Sequence, residues 1–148
     1  MLPHLICRNK IPEKLPKEMD FIVKRLKKAK NKEECLKKAY DILSKKYRGY
    51  KWRTYTRIHE LFMRDVNKIW AKKGFLHCTN INYLLRILLI KSGFFKEGDI
   101  KLKWTTLYLL SPHQYVIVRI NKKKYINIDI WAKPYGIKLG DHAHGTHT

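Results

Sequence analysis

Three side chains in the second half of the chain are of the types that together perform nucleophilic catalysis: Cys78, His113 and Asp129. Cys78 stands where a helical pattern begins. The unpaired N–H groups and the dipole of a helix N-terminus stabilise a thiolate, the form of cysteine that attacks a carbonyl carbon. The Cys78 backbone N–H is also placed to meet a developing oxyanion. His113 follows Ser-Pro and opens a strand, where it would take the thiol proton and later return it to a leaving group. Asp129 lies between Ile128 and Ile130 in an apolar strand, a costly place for an unpaired carboxylate. Beside His113 it would hold the imidazole tautomer and stabilise the imidazolium. Each residue also has a plainer reading. Cys78 is then a small apolar residue under a helix, His113 a half-exposed strand-end histidine, and Asp129 an edge-strand partner for one of many lysines.

The elements that must position these residues follow from hydrophobic spacing. The segment CTNINYLLRILLIKSG places Ile81, Leu84, Leu85, Leu88 and Leu89 on a helix apolar over most of its girth, so it is expected to be central, with Gly93 as its end. After Asp99 the period changes to two. Leu102, Trp104, Thr106, Tyr108 and Leu110 alternate with Lys101, Lys103 and Thr105, Pro112 breaks that strand, QYVIVRI (114–120) forms a second, and YINIDIW (125–131) a third. Register decides whether the last two strands bring His113 to Asp129. A three-residue turn at Asn121–Lys123 pairs Asp129 with Tyr115 and leaves His113 one same-face step away, within diagonal reach. A turn of two or four residues sends the two to opposite faces. The triad therefore requires an odd turn or a bulge.

The first half reads as helical. Pro16 suits the first turn of a helix carrying Phe21, Ile22, Leu26 and Ala29. Asn31 is a plausible N-cap for a second helix, with Glu33 and Glu34 in its first turn and Leu36, Tyr40, Leu43 and Tyr47 as a stripe running to Gly49. Tyr50 to Tyr55 reads as a loop. A third helix carries Ile58, Leu61, Phe62, Val66, Ile69 and Trp70 on one face and stops at Gly74. The tail from Pro134 is expected to be irregular.

At 148 residues the prior is one domain, and 45 % hydrophobic content argues against disorder. No run of about 18 apolar residues occurs, so no membrane-spanning helix and no membrane partner are expected. The order of charges in MLPHLICRNK is wrong for a secretory signal. The 33 Lys+Arg against 12 Asp+Glu give a net charge of +21. Such a field steers acidic partners, whether nucleic acid, an anionic membrane surface or an acidic protein, although compositional bias towards Lys produces the same number. The three cysteines, Cys7, Cys35 and Cys78, form no CxxC pair and no even framework, so reduced thiols and a cytoplasmic setting are the expectation. No metal is expected. HExxH and the phosphate loop are absent, and Asp141, His142, His144 and His147 in the tail read as an adventitious cluster. His77 reads either as a second proton carrier beside Cys78 or as a loop histidine that caps the helix or faces solvent.

The order Cys, His, Asp, with the nucleophile opening a buried helix and the other two on a small antiparallel sheet, resembles the transglutaminase-like superfamily, which shares its core with papain-like cysteine proteases. The resemblance runs from about Ile58 to Trp131, through GFLHCTNINYLLRILLIKSGFF, SPHQYVIVRI and KKKYINIDIW. It implies an α+β fold, N-terminal helices followed by a small antiparallel β-sheet, in a single domain. Residues 1–56 would be a helical lead-in, 57–131 the catalytic core and 132–148 the tail. It also implies acyl transfer or hydrolysis at an amide of a peptide or protein, with no organic cofactor. Family members often use an aromatic or polar side chain before the cysteine in the oxyanion hole, and Trp52, Tyr55 and Trp70 are the candidates. Leu76 and His77 stand where the family often has glycine and a small or apolar residue, which keeps open a binding domain without chemistry. A different class is a nucleic-acid-binding protein, in which Tyr47, Tyr50, Trp52 and Tyr55 among Arg and Lys would combine stacking with phosphate contacts.

Overall fold

In the computed structural model, residues 9–107 and 111–144 are described. Cys7, Tyr108, Leu110 and His147 lie outside them. Helix α1 (Lys17–Leu26) takes its first backbone bond from Asp20 N–H to the Pro16 carbonyl at 3.0 Å. Its buried stripe is Met19, Ile22, Val23 and Leu26, the i, i+3, i+4, i+7 set. Phe21 falls off that stripe and is 62 % exposed, contrary to the sequence reading. Helix α2 (Lys32–Lys46) starts as expected, with Asn31 Oδ1 accepting the Glu34 N–H at 2.9 Å. It ends earlier than the stripe suggests. Tyr47 turns extended and, with Arg48, forms β1 (Tyr47–Arg48).

The segment expected as a loop is instead helix α3 (Lys51–Thr56). The single helix expected next is two pieces, a 3-10 turn (Ile58–Phe62) and helix α4 (Val66–Ala71). Asp65 makes the break by capping α4, its carboxylate accepting the Asn67 N–H at 2.9 Å. Ile58 and Phe62 are more than half exposed, so they belong to no common buried face with Ile69 and Trp70. Gly74 is not the helix stop. It takes φ +79 at the start of β2 (Gly74–Phe75), which pairs in parallel with β1.

Helix α5 (Cys78–Lys91) is central: every residue from Asn80 to Leu89 is buried. It packs on α1 and α2 on one side and on the sheet on the other. The sheet is β3 (Ile100–Leu107), β4 (Ser111–Arg119) and β5 (Tyr125–Ile128), antiparallel in that order. Pro112 does not break a strand but lies inside β4, opposite Thr106. This is tolerated because β5 pairs only with Val116 to Arg119, so at Pro112 one edge of β4 has no strand to bond. The β4–β5 connection is the three-residue turn that the triad requires. Arg119 pairs with Tyr125, Ile120 N–H donates to the Lys124 carbonyl at 2.9 Å, and Asn121 Oδ1 accepts the N–H groups of Lys123 and Lys124 at 2.8 and 2.9 Å. The chain leaves β5 after Ile128, short of the expected Trp131.

The tail is irregular apart from a 3-10 turn (Lys133–Tyr135), yet it is packed. Ile137 and Ala143 are buried, Gly140 N–H donates to the Asn127 carbonyl at 2.9 Å, and the His142 ring stacks on Tyr115 with centroids 3.8 Å apart. Among the described residues no helix is long and apolar enough to cross a membrane. The architecture is thus mixed α and β, with a three-stranded antiparallel sheet and a two-stranded parallel ribbon.

Gly49 joins the helical half to the residues after β5. Its N–H donates to the Trp131 carbonyl at 3.0 Å, and a Cβ at this position would collide with the Trp131 indole and carbonyl. Gly49→Ala is therefore expected to lower stability by about 1–3 kcal/mol through overpacking. Urea unfolding followed by tryptophan fluorescence measures this, and an unchanged midpoint would show that Trp131 does not lie against the Gly49 backbone.

Candidate active site

Cys78 is the first residue of α5. His77 before it is extended (φ −63°, ψ 150°), and its carbonyl accepts from both Asn80 N–H and Ile81 N–H at 3.0 Å. The N–H groups of Cys78 and Thr79 precede the first intrahelical donors, so they are left for an incoming acceptor. Cys78 is half-buried, whereas Cys35 is fully buried and burial pushes its thiol pKa up. Of these two described thiols, only Cys78 is partly exposed.

The hairpin register sets Asp129 one residue beyond the last ladder pair, Val116 with Ile128, and His113 reaches it diagonally. His113 Nε2 lies 2.7 Å from Asp129 Oδ2, with both side chains buried. Asp129 accepts two more bonds. Ala132 N–H donates to Oδ1 at 3.2 Å and Ala143 N–H to Oδ2 at 2.9 Å. Three donors offset the burial of the carboxylate and fix its orientation. With Nε2 engaged, Nδ1 is the ring nitrogen left for Cys78. Burial alone would lower the His113 pKa. The hydrogen bonds to Asp129 and Cys78 and the attraction of their charges outweigh it, so His113 is pushed up to about 10. Trp131 packs against the imidazole, with centroids 5.1 Å apart and planes tilted by 52°.

A cavity of about 400 Å³ opens over Cys78 and His113, walled by Trp52, Tyr55, Leu107 and Trp131. A second space of about 150 Å³ adjoins it, and Cys78 and His77 line both. Two of the three oxyanion-hole candidates, Trp52 and Tyr55, reach this cleft. Trp70 does not. It is buried against Tyr47, its indole N–H donates to Glu18 Oε2 at 3.0 Å, and Lys46 Nζ lies 3.6 Å from the ring centroid. Trp70 was attractive only as an aromatic before the cysteine, and packing gives it a structural role.

His77 is neither solvent-facing nor a side-chain cap. Its Nε2 lies 2.8 Å from the Arg57 carbonyl. A carbonyl can only accept, so Nε2 carries the proton and Nδ1 is the acceptor. Burial lowers the His77 pKa despite that bond, which favours the neutral ring beside Cys78. In the tail, the His142 and His144 rings meet edge-on with centroids 5.3 Å apart, and Asp141 Oδ1 accepts the His142 N–H at 2.8 Å. Among the described residues no group of three His, Cys, Asp or Glu could hold a metal ion.

Sequence reasoning missed Trp131, Gly49 and the two backbone donors to Asp129. Trp131 had a signal, an aromatic two residues after the carboxylate in the expected strand alternation, although the strand itself stops at Ile128. The N–H groups of Ala132 and Ala143 had none, because any residue but proline supplies one. Comparison of the chain with protein-family models, with curated proteins and with solved structures gave no match.

The His113 environment has a direct test. A pKa raised on folding contributes stability that is complete below the unfolded value near 6.5 and is lost as pH rises through about 10. Ring-nitrogen NMR should accordingly show His113 titrating near 10, and Asp129→Asn should lower the midpoint. A wild-type midpoint near 6.5 would mean that His113 is not paired with Asp129 and Cys78 in solution.

Proposed function

We propose that this chain is a transglutaminase-like thiol enzyme that cleaves or transfers an acyl group at an amide of a peptide or protein. The observation that carries the reading is the buried 2.7 Å His113–Asp129 bond beside a reachable cysteine that opens the central helix. The raised pKa of His113 favours a protonated imidazole, a ready proton donor for the leaving nitrogen. In this reading Cys78 Sγ attacks the carbonyl carbon, and the oxyanion is met by the Cys78 N–H together with the Trp52 indole N–H or the Tyr55 hydroxyl. His113 Nδ1 gives its proton to the leaving nitrogen as the C–N bond breaks, leaving a thioester on Cys78. Water, or an amine, then attacks the thioester carbon and gives a proton to His113, and the C–S bond breaks to restore the thiolate. Asp129 holds the Nε2–H throughout. None of these steps uses a metal or an organic cofactor. The charge of +21 favours acidic peptide or protein substrates.

A second reading has its own observation. Tyr50, Trp52 and Tyr55 are exposed, and the Arg53 guanidinium lies 5.5 Å from the Tyr50 ring centroid, an arrangement suited to stacking nucleic-acid bases. Tyr47, counted with them on sequence, is buried and takes no part.

Three measurements separate these readings. Iodoacetamide at pH 6, read site by site by mass spectrometry, should alkylate Cys78 quickly and spare Cys35, and His113→Ala should slow the reaction at Cys78. Cleavage or aminolysis of an acidic peptide pool should vanish in Cys78→Ala and fall about 10²–10⁴-fold in His113→Ala. Slow alkylation that is indifferent to His113 would sink the enzyme reading. Binding of a single-stranded oligonucleotide that weakens steeply between about 50 and 200 mM salt would then favour the second.

A further inference from the structure

The cleft runs across Cys78, but its two ends differ. Thr54 and Tyr55 on α3 and Ser111 and Pro112 on β4 wall both cavities. The larger cavity ends at His113, Trp131, Leu107 and Trp52. The smaller ends at Ile58, Leu61, Thr79 and Trp104, and His113 does not border it. Acid catalysis by His113 orients a substrate in this cleft. The leaving nitrogen must receive its proton from the imidazole, so the leaving half lies at the His113 end. The acyl half then lies on the far side of Cys78, at the Ile58 end.

We infer that the smaller cavity selects the acyl half of the substrate by an apolar side chain of about leucine size, a deepening that rests on the thiol-enzyme reading above. Its volume of about 150 Å³ falls below the roughly 300–1,000 Å³ that holds a whole small ligand, and suits a single side chain. Ile58, Leu61 and Trp104 supply apolar walls, and no Asp, Glu, Lys or Arg lines the space. A charged side chain there would lose its water without gaining a partner. Thr79 also borders this cavity. The long-range field of the protein pulls acidic groups towards the cleft, whereas this pocket rejects them from one position. An acidic substrate therefore carries its charges away from the residue whose carbonyl is attacked.

The test uses acetyl-glycyl chloromethyl ketones ending in leucine, aspartate or lysine, each of which loses chloride as Cys78 Sγ bonds to its methylene carbon. Rates are read by mass spectrometry and divided by the iodoacetamide rate at Cys78 in the same protein. The leucine probe is expected to react at least about tenfold faster than either charged probe. In Ile58→Asp the leucine advantage should shrink and the lysine probe should gain. Ile58 is 58 % exposed, so the substitution leaves the core untouched. Equal rates for the three probes, with brisk iodoacetamide labelling, would overturn the pocket assignment and leave the thiol enzyme standing. Failure of iodoacetamide itself to label Cys78 would bring down both.

Discussion

A carboxylate withdrawn from water needs donors on several sides, and the donors to Asp129 come from three separate parts of the chain. His113 arrives from β4, Ala132 N–H from the turn after β5, and Ala143 N–H from the tail. Removing one partner of a buried ionic pair leaves a charge that neither protein nor water compensates, at a cost of about 3–5 kcal/mol. That penalty couples strand register, the turn after β5 and the path of the last residues. The stacking of His142 on Tyr115 and the burial of Ile137 hold the tail where its one N–H is needed.

The cysteine side of the site is fixed by different means. Helix α5 is buried over most of its length, so neither its axis nor its rotation is free. The residues entering it are tied by the parallel β1–β2 ribbon and by the Leu76 N–H bond to the Arg48 carbonyl at 3.3 Å. One residue beyond Arg48, the Gly49 backbone lies against Trp131, which in turn packs on the His113 imidazole. A short run of chain thus links the approach to Cys78 with the cover of His113. The cleft draws on residues before 57 and on the 57–131 stretch, while the tail after 131 supports Asp129, so all three sequence segments take part in one site.

The large positive charge and the site operate at different ranges. A thiol and two histidines line the cleft among Trp, Tyr, Leu, Pro, Ser and Thr, and the Asp129 carboxylate lies buried against His113. The lysines lie mostly on exposed faces, where single ion pairs such as Lys124 with Glu33 at 2.7 Å contribute little to stability. Their summed field acts on approach and is screened over about 8–10 Å at ordinary salt. Contact at the Cys78 cleft is governed by apolar surface and by hydrogen-bond geometry.

Much of this arrangement was legible in the residues because it rests on local periodicity. The apolar girth of CTNINYLLRILLIKSG foretold the central helix and placed Cys78 at its start. Asn31 announced a cap, and Asn121 to Lys124 announced a turn, but whether that turn was odd or even, and so whether His113 meets Asp129, was settled only by the pairing of Arg119 with Tyr125. The helix, the cap and the turn depend on side-chain spacing and on runs a few residues long, so the linear order carries them. The rest depends on which surfaces meet. Phe21 and Trp70 have similar hydrophobic character, yet one faces water and the other is buried with its N–H bonded to Glu18. Pro112 could enter a strand because β5 stops short of it, a fact about a neighbour and not about proline. Sequence offered Trp52 and Tyr55 beside Trp70 without choosing among them, and the use of Ala132 and Ala143 as donors leaves no pattern in the chain. Long-range packing selects among many residues of equal chemistry, and backbone N–H groups are the same at nearly every position, so only the tertiary structure could decide them.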